Sequence, residues 1–324
     1  MSDSTTTNGS IPGAPAPSPM RLRFWGVRGS IATPGPGTLL FGGNTSCLEL
    51  RAGGQIIILD AGTGLRLLGR QLAAEFKGRP LEMVLLLTHT HWDHIQGLPF
   101  FLPVYNPQNR VRVVGYEGAR YGLQAVLNSQ MEHPFFPIGL PANVAIEETK
   151  DQSFQIGPVQ VTAARANHPG VCVGYRVSAG GRSVAFFPDN ELRDQPERTA
   201  NGGSPGPTAA APLRGPNREL ADFVRGADVL IMDTQYTRNE YRDHIGWGHG
   251  CMEDVVTFAL VADVKRLFLF HHDPDHDDQK ISEMVATARA LVAERKGELE
   301  VDAAREGMTV DLAPVDPHAA AGTR

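Results

Sequence analysis

Ten short stretches of the chain are either continuously apolar or alternate apolar with polar residues: 21–25, 46–50, 55–59, 83–87, 111–114, 159–163, 171–177, 183–187, 229–232 and 267–270. Successive side chains of an extended backbone point to opposite faces, and a short unbroken apolar run suits a strand covered on both, so each stretch predicts a β-strand. The spacing lengthens to that of a helix at 64–75, 119–127, 217–224, 252–261 and 279–295, the last carrying Ile281, Met284, Val285, Ala288 and Leu291 on one face. Strands interspersed with helices in this order suit a layered α/β or α+β structure. The chain shows no internal repeat.

The ends and one interior segment break the pattern. Positions 1–19 are rich in Ser, Thr, Pro and Gly with few bulky apolar side chains, which cannot offset the entropy of ordering, so a disordered N-terminal tail is expected there. A second tail is expected at 314–324, and a flexible loop at 193–216, which contains GGSPGPTAAAP. Patterned sequence of one character continues on both sides of that loop, so 20–313 reads as a single domain.

Composition narrows the picture further. With 324 residues, 41% of them hydrophobic, the chain can bury a sizeable core. A formal net charge of -6 argues against a broad basic face for nucleic acid, whereas a small anionic substrate held through metal stays compatible. Cys47, Cys172 and Cys251 lie far apart with no C-x-x-C pair, which suggests neither a disulfide framework nor a thiolate zinc site. The start lacks a basic segment followed by an apolar one, and no run reaches the ~18 apolar residues of a membrane span. The cytoplasm is the expected compartment.

Candidate chemistry begins directly behind 83–87, where the chain reads Thr88-His89-Thr90-His91-Trp92-Asp93-His94. A lone histidine in a turn is ordinarily solvated or hydrogen-bonded. Four ligand-type side chains in six positions are different, because packing them at a strand end without a cation leaves polar groups buried and poorly compensated. His89 and His91, two apart, point to one side in extended backbone, and a turn after them aims Asp93 and His94 back at the same space. A catalytic ion usually takes three protein ligands and keeps a position for water, so four donors hint at two ions. His168 in ANHPG, Asp189 in FFPDNE and His271 in LFLFHHDP each follow an apolar run, as loops at one sheet edge do when they serve a shared site.

THTHWDHIQGLPFF, preceded by ILDAGTG and followed in order by His168, Asp189 and His271, resembles the metallo-β-lactamase superfamily over roughly 21–310. The segments FWGVRGSIATPGPGTLLFGGNTSCLEL, NHPGVCVGYRV and FFPDNE are similar to its branch containing ribonuclease Z and bacterial cyclic-nucleotide phosphodiesterases. The resemblance implies an α/β fold (α+β by some schemes) of four αββα layers and two divalent metal ions. Zinc is expected, although manganese or iron accepts the same histidine and carboxylate donors. It implies that His89, His91 and His168 hold one ion, that Asp93, His94 and His271 hold the other, and that Asp189 bridges them. His272 is adjacent, but the first histidine after 267–270 matches the family position. Asp60 in ILDAGTG would orient a ligand from behind, while also serving a strand-to-helix turn.

GWGHGCMEDVVTFAL resembles the histidine motif with which ribonuclease Z-like phosphodiesterases stabilise the departing oxygen, which makes His249 a catalytic candidate beside Asp93. The match is partial, since Gly250-Cys251 stands where that branch commonly has Ser-Thr; His244 is a second candidate. Asn44 and Thr45 could offer hydrogen bonds near the site and Arg28 a charge for a phosphate, although GVRGS and GGNTS are mainly turn geometry. His133, His276 and His318 are expected at the surface. In the 121–141 loop, Phe135 and Phe136 either stack on a base or, the better expectation, pack on the core.

The expected function is hydrolysis of a cyclic nucleotide or similar small phosphodiester by a hydroxide bridging two ions, with a homodimer compatible. A ribonuclease Z-like tRNA 3′ endonuclease is the main alternative. It uses an extended basic arm, however, and 193–216 holds only Arg193, Arg198 and Arg214. A lactonase or β-lactamase fits His249 less well, and a metal-bearing nucleotide sensor without turnover would not need the full ligand set.

Overall fold

A computed structural model describes residues 19–116, 122–192 and 213–315. Fourteen strands form two seven-stranded mixed sheets. The first contains β1 (Met20–Gly26), β2 (Cys47–Ala52), β3 (Gln55–Leu59), β4 (Glu82–Leu86), β5 (Arg110–Tyr116), β6 (Val144–Thr149) and β14 (Thr309–Leu312), in the order β14-β1-β2-β3-β4-β5-β6. The second contains β7 (Ser153–Ile156), β8 (Val159–Arg165), β9 (Val173–Ala179), β10 (Arg182–Phe187), β11 (Val229–Asp233), β12 (Arg266–Phe270) and β13 (Glu300–Ala303), ordered β13 to β7. The helices are α1 (Leu65–Phe76), α2 (Trp92–Ile95), α3 (Leu123–Ser129), α4 (Gly215–Val224), α5 (Arg238–Tyr241), α6 (Met252–Val261) and α7 (Asp278–Glu294).

Alternation along the central strands produces the layers. Ile57 and Leu59 of β3, Val84 and Leu86 of β4, Val184 and Phe186 of β10, and Phe268 and Phe270 of β12 meet in one core between the sheets. Their neighbours face outward: Ile58, Met83 and Leu85 pack with Leu65, Leu68 and Leu72 of α1. On the other flank Ala185, Leu230, Leu267 and Leu269 pack with α4, α6 and α7. Strands buried on both faces explain the unbroken apolar runs, and the result is the four-layer αββα sandwich expected from the sequence.

All ten predicted strands form, with ends shifted by up to two residues. Four were not predicted. β6 and β7 are short and half-buried, with the patterns VAIEET and SFQI, and β13 and β14 are four-residue edge strands rich in Glu, Asp and Thr. Such strands carry too little apolar contrast to read as a period. The predicted helix at 119–127 is α3, beginning at Leu123; 117–121 lie outside the described residues, as do 1–18, 193–212 and 316–324 of the segments expected to lack order. Positions 213–216 of the expected loop are instead built, with Leu213 against the core and α4 starting at Gly215.

Register decides where the site lies. β3 and β4 are parallel, with Leu59 level with Leu86. β10, β11 and β12 are also parallel, with Phe187 level with Met232 and Asp233 level with Phe270. The carboxyl ends of these strands, and of β8, which runs parallel to β10 across β9, therefore open at one edge of the sandwich, and the loops leaving them converge there.

Candidate metal centre

Each of those loops delivers a buried polar side chain. His89, Asp93 and His94 follow β4, His168 follows β8, Asp189 follows β10 and His271 follows β12; all are at most 7% exposed, and His94 and His271 are wholly buried. His91, the exposed member, caps the four-residue helix α2, whose turn carries Asp93 and His94 back toward His89. Two sets of donor atoms could each hold a cation, His89, His91, His168 and Asp189, and Asp93, His94 and His271; a third, Asp189, His249 and His271, overlaps both. Asp189 lies between them, with Oδ2 3.8 and 3.6 Å from Nε2 of His89 and His168, and Oδ1 3.0 and 3.4 Å from Nε2 of His94 and His271. The seven residues named from the sequence are thus together at one point, with the shared position at Asp189.

The rings are aimed from behind. His94 donates from Nδ1 to Asp60 Oδ2 at 2.8 Å, and His168 from Nδ1 to the Gly248 carbonyl at 2.9 Å. His271 donates to Gln235 Oε1 at 3.1 Å. His89 Nδ1 lies 3.1 Å from Thr88 Oγ1, and that hydroxyl donates to Asp60 in turn. Four rings therefore aim Nε2 at the interior. His91 differs, presenting Nδ1 at 3.0 Å from His168 Nε2. Asp93 Oδ2 accepts from the Ser30 backbone at 2.9 Å. Asp60 and His271, the residues that leave β3 and β12, hold left-handed backbone at φ 60° and 59°. Non-glycine residues take this conformation at a cost of about 1–3 kcal/mol, which concentrates at sites of function. Gly29 of GVRGS is required by contact, since a Cβ there would sit 2.4 Å from the His271 ring.

Two observations test whether a cation fits. Nε2 of His89 and His94 and Oδ1 of Asp189 are buried with no well-aligned hydrogen-bond partner among the described residues, a costly state that a coordinated cation relieves. The electrostatics agree. Burial disfavours the charged form of His94, yet Asp93, Asp189 and Asp60 outweigh it and hold that ring well above the ordinary histidine range. Burial and the neighbouring imidazoles push His89 well below it. A centre that binds positive charge beside neutral imidazoles has the donor chemistry of a divalent metal site.

His249 lies at the same edge. Its ring stacks on His271 at 5.0 Å, 18° from parallel, and Nδ1 donates to the fully buried Asp233 at 2.8 Å. Burial lowers its pKa, but the Asp233 carboxylate, with Asp189 and Asp93 behind it, raises it to about 9. His244 is farther out, stacked on Tyr236.

Some sequence expectations need correction. Arg28 is fully buried and spends its guanidinium on the carbonyls of Gly42, Asp273 and His276, so it cannot meet a phosphate. Asn44 binds Glu306, and Thr45 exchanges hydrogen bonds with Thr63, so both serve the turns. His276 is buried at 7% exposure, 3.1 Å from Glu240, rather than at the surface; His318 lies outside the described residues. Phe136 packs edge-on against Phe100, which favours the packing role of its loop, while Phe135 stays exposed.

Sequence reasoning missed Asp233, Gln235, Asn190 and Glu191. Asp233 had a signal: it closes the apolar run of β11 as Asp60 follows β3. Asn190 and Glu191 flank Asp189 and knit the loops together, Asn190 accepting from the Asn167 backbone and Glu191 from the backbones of Gly246 and Gly248.

The comparisons with known proteins agree with this geometry. Residues 55–203 match the family model described as the beta-lactamase superfamily domain. The fold aligns with the metallo-beta-lactamase fold protein YhfI from Bacillus subtilis at a TM-score of 0.65 and 17% identity, covering 91% of this chain and 99% of that one. It also aligns with a diphosphatase of the PhnP family at a TM-score of 0.59 and 16% identity, over 91% and 98%. The described residues share the metallo-β-lactamase fold, which implies divalent metal binding. In sequence the chain is similar to a ribonuclease Z of Limosilactobacillus fermentum, 28% identical over 232 residues, 62% of this chain and 72% of that protein. No helix among the described residues is long and apolar enough to cross a membrane.

Proposed function

We propose that the protein is a metal-dependent phosphodiesterase acting on a small phosphodiester such as a cyclic nucleotide. The observation that carries this reading is the joint presence of seven converging donor residues, with Asp189 central among them, and of the His249–Asp233 pair beside them. His89, His91 and His168 would hold one divalent cation, and Asp93, His94 and His271 a second, with Asp189 shared. When bound, such a pair supplies Lewis acidity toward phosphoryl oxygens and lowers the pKa of a water to near 7. The chain's own residues do the rest. Asp93, fixed by the Ser30 backbone, has a second face to accept a hydrogen bond from the attacking water. His249, kept protonated by Asp233, donates its Nε2 proton to the departing oxygen, a role that contributes roughly a hundred- to ten-thousand-fold.

A ribonuclease acting on tRNA ends is the second reading, favoured by the ribonuclease Z relative. Weighing against it are the net charge of -6 and the few basic residues of 193–216, since binding an extended polyanion needs clustered Lys and Arg. The deciding experiment measures metal content and then hydrolysis of a cyclic nucleotide, a chromogenic diester, a precursor tRNA and a lactam, with His91→Ala as control. Cleavage of the first two alone supports the proposal; cleavage of the tRNA alone overturns it.

A further inference from the structure

Beside the cluster, residues 236–249 build a wall of rings. Tyr236 and His244 stack with centroids 4.3 Å apart and planes 17° from parallel. Trp247 stands edge-on to His244 at 4.7 Å, and on the inner side Tyr236 meets His249 edge-on at 6.2 Å. With His249 stacked on His271, a continuous path of rings runs from a wholly buried ligand-type histidine to an indole that is 59% exposed.

The loop bearing that indole is tied down. Glu191, 1% exposed, accepts from the backbones of Gly246 at 2.7 Å and Gly248 at 3.2 Å, and from the Tyr241 hydroxyl at 2.7 Å. His244 donates to the Glu240 carbonyl at 2.7 Å, and Thr237 and Glu240 cap the preceding helix reciprocally. Gly246 and Gly248 both have φ 89°, a conformation open to glycine, which turns the chain sharply on either side of Trp247. A singly exposed apolar residue needs no explanation. An indole on a fixed loop, at the end of a ring wall that reaches the cluster, is a preorganised stacking surface.

We infer that Trp247, backed by His244, is the specificity surface of this site and stacks on a planar ring, a nucleobase or aryl group, carried by a phosphoester whose phosphate lies at the cluster. This deepens the phosphodiesterase reading and names its substrate class. Stacking reads a π-face rather than hydrogen-bonding edges, so the surface selects ring-bearing substrates over ringless ones while tolerating different bases.

The test uses the full chain loaded with zinc. Binding of AMP, phenyl phosphate and ribose 5-phosphate is followed by tryptophan fluorescence in a Trp92→Phe background, where the other indole, Trp25, is buried at 7% exposure. AMP is expected to quench the emission and to bind more tightly than ribose 5-phosphate. Affinities of the variants, which lack the reporting indole, are taken from isothermal titration calorimetry: Trp247→Ala should weaken AMP roughly 5- to 150-fold while leaving ribose 5-phosphate within about twofold, and Trp247→Phe should restore most of the loss. Equal sensitivity of phenyl phosphate marks a surface for any planar ring; sensitivity of AMP alone marks one for nucleobases. An unshifted melting temperature shows that the variants are folded. Absence of quenching, with AMP affinity unchanged in Trp247→Ala, overturns the inference. Because quenching needs no turnover, AMP binding through Trp247 in a protein that hydrolyses no diester would sink the phosphodiesterase reading and leave this one standing.

Discussion

Asp60 offers a sharp test of how the centre is held, because one buried carboxylate serves both proposed ligand sets. Its Oδ1 accepts from the Thr88 backbone at 2.8 Å, its Oδ2 from His94 Nδ1 at 2.8 Å, and the Thr88 hydroxyl that bonds it also meets His89 Nδ1. Asparagine fits the cavity and tolerates the left-handed backbone at φ 60°. What it cannot do is accept at both ends. With its carbonyl toward the buried Thr88 N–H, its NH2 faces His94 Nδ1. That ring must then move its proton to Nε2, the atom aimed at the cluster, or leave two donors opposed. Losing one charge-assisted hydrogen bond costs about 1.5–3 kcal/mol. Changing a group behind a ligand typically weakens metal binding by about 10- to 100-fold, which at about 1.4 kcal/mol per decade spans the same range. We expect Asp60→Asn to lower zinc affinity by that factor, measured by competition with a chromophoric chelator at fixed pH. Zinc affinity within about twofold of the parent protein, at unchanged stability, would refute the idea that Asp60 sets the ring tautomers.

Four further outcomes are expected. His249→Ala should reduce turnover of the chromogenic diester by roughly a hundredfold or more with metal content unchanged, and Asp233→Asn should act in the same direction; turnover equal to the parent would remove His249 from the mechanism. With its pKa raised to about 9, the His249 ring is protonated below that value, so activity should fall as pH rises through it. Cations bound nearby would draw this limb lower, and His249→Ala should abolish it in a pH–rate profile. Stripping metal with a chelator should lower the melting temperature, because a ligand held at about a hundred times its Kd stabilises by about 2.7 kcal/mol; His91→Ala should lose that sensitivity, and an identical shift in the variant would count against the centre. Finally, burial pushes His272 down to about 3 while its Nε2 donates to the Ala304 carbonyl. Its folded pKa lies below its unfolded value near 6.5, so this ring takes nothing from stability above about pH 6.5 and removes a few kcal/mol as pH falls toward 3. His272→Gln, which keeps the donor and loses the titration, should unfold at lower pH; an unchanged acid midpoint would argue otherwise.

Much of this was legible in the residues alone. Runs such as Ile56-Ile57-Ile58-Leu59 and Leu267-Phe268-Leu269-Phe270 must be buried on both faces, which determines central strands and therefore covering helices. Four ligand-type side chains between His89 and His94 demand a cation or a heavy penalty wherever the fold puts them. Tertiary structure decided what depends on distant partners. Only parallel pairing of β10, β11 and β12 brings Asp189, Asp233 and His271 to one edge, and only folding turns Arg28 from a candidate phosphate ligand into an internal strut for the 273–276 loop. Gln235 and Glu191 are ordinary residues in sequence, because the rings and backbones they orient lie up to 57 positions away. A ligand atom is a local property of its side chain and shows in the sequence; the direction it points is set by groups that meet it only after the chain has folded.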